Sequence, residues 1–149
     1  MRLLLVEDNM QSAGLLVRLF ESTGHDVVHK THGLAGLRAA REENFDAILL
    51  DFDLPDIDGS QVGLLLRPAM KHIPIIALTA QDDTVTRNKA KAFGFSAFIA
   101  KPWSIAELVE TLHRLTNREV ENIELLEHKL NTQELNAISS GRRPDEIAR

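Results

Sequence analysis

The stretch AILLDFDLPDIDG, residues 47–59, joins a short apolar run to four aspartates. Asp51, Asp53, Asp56 and Asp58 follow one another closely, and carboxylates at this density repel one another and lose hydration if they are buried. The apolar run before them has the length of a strand that is buried on both faces, as strands of parallel sheets are. The stretch therefore predicts a buried strand that carries Asp51 at its carboxyl end.

Size and composition indicate one domain, or one domain with an appendage. The chain has 149 residues, 44% of them hydrophobic, and a formal net charge of -5. No apolar run approaches the ~18 residues that cross a bilayer, and the run before Glu7 is too short for a signal peptide, so we expect a cytoplasmic protein without membrane insertion. The acidic balance weighs against direct binding of nucleic acid. The absence of cysteine excludes disulfides and thiolate chemistry.

Strand-like and helix-like segments alternate five times in the first part of the chain. Strands are predicted at 2–6, 26–29, 45–51, 73–79 and 96–100, and helices at 10–23, 33–43, 60–66, 83–93 and 104–115. Alternation of this kind, with strands that are apolar throughout, predicts a parallel sheet covered by helices on both faces. Pro68 is expected to end the third helix near Leu66 or to kink it.

Residues 117–149 have a different pattern and are predicted to form a helical extension that frays toward its end. The apolar residues of 120–130 are spaced like one face of a helix. Asn131 resembles the start of a capping box before a short helix at 132–140. The apolar stripe favours a helix that covers the core, with a dimer seam as the alternative.

Polar side chains follow four of the five predicted strands, at the carboxyl end of each. Glu7 and Asp8 follow the first strand, Asp51 ends the third, Thr79 ends the fourth, and Lys101 follows the fifth. The second strand offers nothing comparable. Because ligands of open parallel sheets bind at the carboxyl ends of the strands, we expect three carboxylates, a hydroxyl and an ammonium to converge at one edge.

This set of groups is suited to phosphoryl chemistry. Three carboxylates close together need a counter-charge, and Mg²⁺ prefers oxygen ligands and neutralises incoming phosphate oxygens. The lysine ammonium and the threonine hydroxyl can contact further phosphate oxygens. The set therefore predicts a magnesium-dependent acceptor site for a phosphoryl group, with one carboxylate as the nucleophile.

Four motifs in this order closely resemble the receiver domains of two-component response regulators. The motifs are LLVEDN (4–9), DFDLPDIDG (51–59), ALTA (77–80) and AFIAKP (97–102). The resemblance covers roughly residues 1–116, which become the predicted receiver domain. It implies a flavodoxin-like fold, a doubly wound parallel sheet of five strand–helix units with strand order 2-1-3-4-5.

The resemblance implies Mg²⁺ as the cofactor and assigns residues to it. Glu7 and Asp8 match the acid pair of the family, with Asp8 a direct ligand and Glu7 acting through water. Asp51 matches the phosphoacceptor, and the backbone carbonyl of Asp53 matches a further metal ligand. The side chain of Asp53 is expected beside the path of the attacking water, where it would alter the lifetime of the phosphate.

The resemblance also assigns the residues that respond to the phosphate. Lys101 matches the phosphate-binding lysine, positioned by a cis peptide bond at Pro102. Thr79 and Phe98 match the switch pair that moves inward on phosphorylation. Phe98 lacks a hydroxyl, so an inward state would rest on packing alone. The change is expected on the face formed by the fourth helix, the fifth strand and the fifth helix.

The implied role is signalling through protein contacts, without catalytic turnover beyond self-phosphorylation and slow autodephosphorylation. The implied phosphodonor is a sensor histidine kinase or a phosphotransfer protein, and the downstream target is a protein that the sequence does not identify. A homodimer, through the switching face or through residues 117–130, is left open as an assembly.

Three other functions agree less well with the sequence. A phosphohydrolase of the haloacid dehalogenase type would use a D-x-D such as Asp51 and Asp53, but there the nucleophile precedes the acid pair, whereas Glu7 and Asp8 come first here. A pseudo-receiver, a fixed interaction module, is opposed by the intact set of site residues. A calcium loop fails because leucines would occupy two ligand positions.

The remaining polar residues are expected to be structural. Asp56 and Asp58 lie in LPDIDG, whose residues are typical of a turn into the third helix. The six histidines show no ligand spacing, and we expect each to be solvated or hydrogen-bonded.

Overall fold

The computed structural model describes residues 1–100 and 104–116, within which five strands and five helices alternate. The strands are β1 (Arg2–Val6), β2 (Asp26–Lys30), β3 (Ala47–Asp51), β4 (Ile75–Thr79) and β5 (Ala97–Ala100). The helices are α1 (Met10–Ser22), α2 (Gly33–Glu42), α3 (Gly59–Leu66), α4 (Thr84–Ala92) and α5 (Ile105–Thr116). Within this part of the chain, no helix has both the length and the apolar character needed to span a membrane.

The five strands form one parallel sheet in the order β2-β1-β3-β4-β5. The predicted flavodoxin-like fold and strand order are therefore confirmed. The chain passes from β1 to β2 on one side and then returns to place β3 on the other side of β1. The order reverses between β1 and β3, and the carboxyl ends of these two strands open the crevice where ligands of such sheets bind.

Alternate side chains of the sheet pack into two cores on its opposite faces. Leu3 and Leu5 pack with α1 and α5, whereas Leu4 and Val6 pack with α2 and α3. Every residue of β3 and β4 is buried, as their continuous apolar runs predict. The helices therefore hold the central strands from both faces, and the ends of β3 and β4 are rigidly placed.

Two strands begin two residues later than predicted, whereas the end of β2 and the start of β5 differ from the prediction by one residue. β3 and β4 begin at Ala47 and Ile75, two residues later than the apolar runs suggested. Pro74 has no N–H to donate to a ladder, although its carbonyl accepts the N–H of Ile48 at 2.9 Å. α3 ends at Leu66, as expected, and a 3₁₀ turn containing Pro68 follows it.

Candidate functional site

The carboxyl ends of β1, β3 and β4 bring three of the predicted side chains into the interior. Glu7 directly follows β1, and Asp51 and Thr79 are the last residues of β3 and β4. Their exposed fractions are 5%, 3% and 1%. A carboxylate buried to this extent loses its hydration and needs compensating partners or a cation.

Glu7, Asp8 and Asp51 form an acidic cluster, in which one ligand oxygen from each residue lies within 4.8 Å of the other two. The oxygens of Glu7 and Asp51 are in buried residues, whereas Asp8 is exposed and opens the cluster to solvent. A compact set of hard oxygen donors with one accessible side fits Mg²⁺, which keeps part of its water shell when bound. The residues that the sequence predicts as metal-binding side chains are thus brought together.

The N-terminus of α1 holds the Glu7 side chain in place. The Oε1 atom of Glu7 accepts the Asn9 N–H at 3.0 Å. Asn9 is the N-cap of α1, because its Oδ1 accepts the N–H groups of Gln11 and Ser12 at 3.2 and 3.1 Å. The capped turn therefore fixes the residues that follow β1 with the two acids directed into the crevice.

β2 contributes to the site, which the sequence did not predict. The Glu7 N–H donates to the Lys30 carbonyl at 3.0 Å, and the Nε2 atom of His29 lies 2.8 Å from the Glu7 carbonyl oxygen. A carbonyl oxygen only accepts, so Nε2 carries the proton. The histidine is hydrogen-bonded, as expected of the six histidines, but its position beside the acid pair was missed. The sequence alone gives no signal for this position, which follows from the register of the ladder, where His29 pairs with Leu5, two residues before Glu7.

Asp51 is constrained by the backbone that follows it. Its Oδ1 accepts the N–H of Asp53 at 2.8 Å. The Asp53 side chain is exposed at the rim of the cluster. The assignment of the Asp53 carbonyl as a metal ligand stays a prediction, but the hydrogen bond places Asp53 directly against the carboxylate of Asp51.

Thr79 lies at the same edge of the sheet, one position beyond the residue that pairs with Asp51. Its Oγ1 accepts the Gln81 N–H at 3.1 Å. The hydroxyl is therefore directed along the loop that leads from β4 to α4. A hydroxyl that accepts through oxygen still has its proton to donate, which is the capacity that the predicted phosphate contact requires.

Phe98 on β5 is half-buried between an aromatic ring and a cation. The centroids of the Phe98 and Phe52 rings are 6.3 Å apart in an edge-to-face arrangement, and the guanidinium of Arg87 lies 4.6 Å above the Phe98 ring. Arg87 also forms an ion pair with Asp82. These contacts connect the predicted switch aromatic to α4 and to the loop that follows Thr79.

The two remaining aspartates of the loop after β3 have different structural roles. Asp58 is the N-cap of α3 and accepts the Ser60 N–H at 2.9 Å, as a turn residue before that helix should. Asp56 instead accepts the N–H groups of Gly33 and Leu34 at 2.7 and 3.0 Å, so it caps α2. Asp56 lies in the bend before α3, as expected of a turn residue, and its contact with α2 is a further role that the sequence did not predict.

Lys101 and Pro102, predicted to bind and position the phosphate, lie outside the described residues. The predicted helical extension at 117–149, with its apolar stripe, lies outside them as well. Their roles stay predictions.

The parallel sheet and the acidic edge define the receiver domain of a response regulator. The model of the response regulator receiver domain family matches residues 3–113, and the chain belongs to this family.

Known members share both sequence and architecture with the chain. The polar-differentiation response regulator DivK of Brucella anthropi is 34% identical over 111 residues, which cover 73% of this chain and 90% of that protein. A receiver domain of a Francisella response regulator has a TM-score of 0.73 at 28% identity. The superposition covers 78% of this chain and 97% of the Francisella chain.

A receiver domain from a sensor histidine kinase of Pseudomonas aeruginosa has a TM-score of 0.71 at 33% identity. The superposition covers 78% of this chain and 98% of the Pseudomonas chain. That structure contains a magnesium ion coordinated in its active site cleft.

Proposed function

We propose that this chain accepts a phosphoryl group on Asp51 from a sensor histidine kinase or a phosphotransfer protein and signals through contacts with a downstream protein. The observation that carries the proposal is the acidic cluster of Glu7, Asp8 and Asp51 at the buried strand ends. Mg²⁺ at this cluster would neutralise the carboxylates and the oxygens of the incoming phosphoryl group.

The transfer step balances without a further reactant. A carboxylate oxygen of Asp51 attacks the phosphorus of a phosphohistidine, the P–N bond breaks, and an acyl phosphate forms. The leaving imidazole takes up a proton from water. Burial of Asp51 at the end of β3 favours this chemistry, because the strand holds the nucleophile at one position and excludes part of the solvent.

The neighbouring residues are suited to hold the product. The Thr79 hydroxyl can donate to one phosphoryl oxygen, and Lys101 is the sequence-predicted partner of another. Because the Gln81 N–H is bonded to the Thr79 oxygen, a shift of Thr79 would draw the loop before α4 with it.

We place the switching surface on α4, β5 and α5. Phe98 can move inward only if its contact with Arg87 rearranges, and Arg87 is itself tied to Asp82 in the loop after β4. This arrangement supports a signal that runs from Thr79 through the loop to the aromatic ring. A homodimer through this face, or through residues 117–130, is part of the proposal as an assembly in which the signal is read.

A cytoplasmic location follows from the proposed donor, since histidine kinases use ATP.

The alternative of a haloacid-dehalogenase-type phosphohydrolase has no support in the order of the strands, because the acids after β1 precede the predicted nucleophile in the chain.

The test is labelling of the purified protein with ³²P-acetyl phosphate, with and without Mg²⁺. We expect magnesium-dependent label that is lost in Asp51→Asn and kept in Asp26→Asn, which makes the same charge change on an exposed residue at the start of β2. Label that survives in Asp51→Asn contradicts the assignment. Wild-type protein that takes no label is a pseudo-receiver, and turnover of p-nitrophenyl phosphate would identify a phosphohydrolase.

A further inference from the structure

His29 sits where the edge strand β2 meets the residues that carry the acid pair. β2 ends at Lys30, whose carbonyl accepts the Glu7 N–H at 3.0 Å. The carbonyl of Glu7 lies one residue further along the ladder, beyond Lys30, which is the last residue of β2. The imidazole of His29 reaches it instead, with Nε2 at 2.8 Å from the oxygen.

We propose that His29 is a positioning residue for the magnesium-binding acid pair, through its hydrogen bond to the peptide that joins Glu7 to Asp8. This inference rests on the proposed function, because it concerns the same acidic cluster. The carbonyl that His29 holds belongs to the peptide plane of the Asp8 nitrogen. Fixing that plane fixes the direction in which Asp8 leaves the strand.

Each peptide unit that flanks Glu7 is thereby bonded to β2. The unit before Glu7 donates to a backbone carbonyl, and the unit after it accepts from a side chain. The Glu7 carboxylate is held separately, by the Asn9 N–H. Asp8 is the exposed member of the cluster, and both of its peptide planes are bonded: the plane after it through the Asn9 N–H to the Glu7 carboxylate, and the plane before it to His29. The contact from His29 is the one that ties the Asp8 backbone to β2.

Removal of this contact should weaken magnesium binding without unfolding the protein. His29 is half-buried on an edge strand, so its replacement leaves the central sheet intact. Partners that orient metal ligands typically change metal affinity by roughly 10- to 100-fold when mutated. His29 contacts the backbone beside Asp8 and not a metal-binding oxygen, so we expect a smaller effect than this. The Mg²⁺ Kd should rise about threefold to tenfold.

The test compares His29→Leu, His29→Asn and His29→Gln with wild type by calorimetric titration with Mg²⁺. The Gln side-chain amide reaches about as far as Nε2 and can donate to the Glu7 carbonyl, whereas the Asn amide is too short. We expect weakened Mg²⁺ binding in the Leu and Asn variants, because neither can donate to the Glu7 carbonyl. The Gln variant keeps this donor, and its Kd should lie within about twofold of wild type.

A second readout needs no metal. In magnesium-free protein, the ¹⁵N–¹H resonance of the Asp8 amide should shift in the Leu and Asn variants and return toward its wild-type position in the Gln variant. Thermal unfolding in EDTA serves as the control for folding, and the polar Gln and Asn variants preserve the comparison if the Leu variant does not fold.

The outcomes separate this role from the proposed function. A Leu variant with wild-type Mg²⁺ affinity, or a Gln variant as weak as the Asn variant, overturns the role of His29. If wild-type protein binds Mg²⁺ but takes no label from acetyl phosphate, the proposed function fails and the affinities still decide the role of His29. Wild-type protein that binds no Mg²⁺ overturns both.

Discussion

Asp56 is a loop residue that stabilises a helix formed earlier in the chain. Its two carboxylate oxygens accept the first N–H groups of α2, from Gly33 and Leu34. Desolvation raises the pKa of Asp56, but the backbone hydrogen bonds to its carboxylate, led by those from Leu34 and Gly33, together outweigh it and hold the pKa below its usual value. The ionised form is therefore favoured in the folded protein.

This shift predicts a pH-dependent contribution to stability. A depressed pKa means that the contribution is fully present above the unfolded value of about 3.9 and is lost as pH falls through the folded value. Asp56→Asn keeps only one acceptor oxygen, and we expect it to lower the free energy of unfolding by about 1 kcal/mol at pH 7, as loss of a helix cap does. The difference should shrink as the pH approaches 3.

Urea unfolding of wild type and Asp56→Asn at a series of pH values measures this difference. Asp26→Asn is the control for the charge change, because Asp26 is exposed at the start of β2 and its N–H, which the substitution keeps, donates to the Met1 carbonyl. A stability difference that stays constant from pH 7 to pH 3 would show that the Asp56 carboxylate is not responsible.

Among the elements, α3 is shaped by an aromatic ring that approaches it. A Cβ atom added to Gly63 would overlap Cζ of the Phe95 ring. The ring cannot retreat easily, because its edge-to-face contact with Phe52 has a centroid distance of 5.1 Å. Glycine in the middle of this helix therefore permits close packing against the segment that leads into β5.

Two glycine-to-alanine changes in helices should have opposite effects. Gly63→Ala improves helix propensity by about 1 kcal/mol but overpacks the contact with Phe95, at a cost of about 1–3 kcal/mol, so we expect a net loss of stability. Gly14→Ala in α1 meets nothing within 4 Å and should raise stability by up to about 1 kcal/mol. Thermal unfolding of the two variants decides this, and a stabilised Gly63→Ala would contradict it.

The elements show which parts of the fold the sequence could predict. Continuous apolar runs such as β3 identified buried strands, because a parallel sheet covered on both faces leaves no alternation. The predicted starts of β3 and β4 are two residues too early, because each apolar run begins before the first residue that pairs in the backbone ladder. Pro74 directly precedes the first residue of β4, and the sequence shows that it has no N–H to donate to the ladder.

The candidate site was predictable to the extent that side chains follow strand ends. Glu7, Asp8 and Asp51 do so, and the structure brings them together. The contacts of His29 and Asp56 were not predictable in this way. Each joins a side chain to a backbone group that is distant in the chain, and the sequence does not mark which distant backbone group a side chain will meet.

For the molecule as a whole, the acidic cluster links stability to magnesium. Without the ion, three carboxylates face one another, and the repulsion opposes folding. A ligand that binds only the folded state stabilises it, by about 1.4 kcal/mol when its concentration is ten times Kd. Magnesium should therefore raise the melting temperature of the wild-type protein.

Asp8→Asn should remove most of this dependence of the melting temperature on magnesium. Removal of one exposed charge relieves repulsion of about 1 kcal/mol, the Coulomb energy of two charges about 4 Å apart in water, so the metal-free variant should melt above metal-free wild type. Added Mg²⁺ should then give it little further increase. Scanning calorimetry in EDTA and in excess Mg²⁺ tests both parts, and a variant that responds to magnesium as wild type does would exclude Asp8 from the site.

The cluster is divided between β1 and β3, which are neighbours in the sheet although β2 lies between them in the chain. During translation the two acids after β1 leave the ribosome long before Asp51 does. They cannot meet it until β3 has emerged and paired with β1. A partly synthesised chain thus lacks the complete cluster, and a kinase that recognises it would leave nascent chains unmodified.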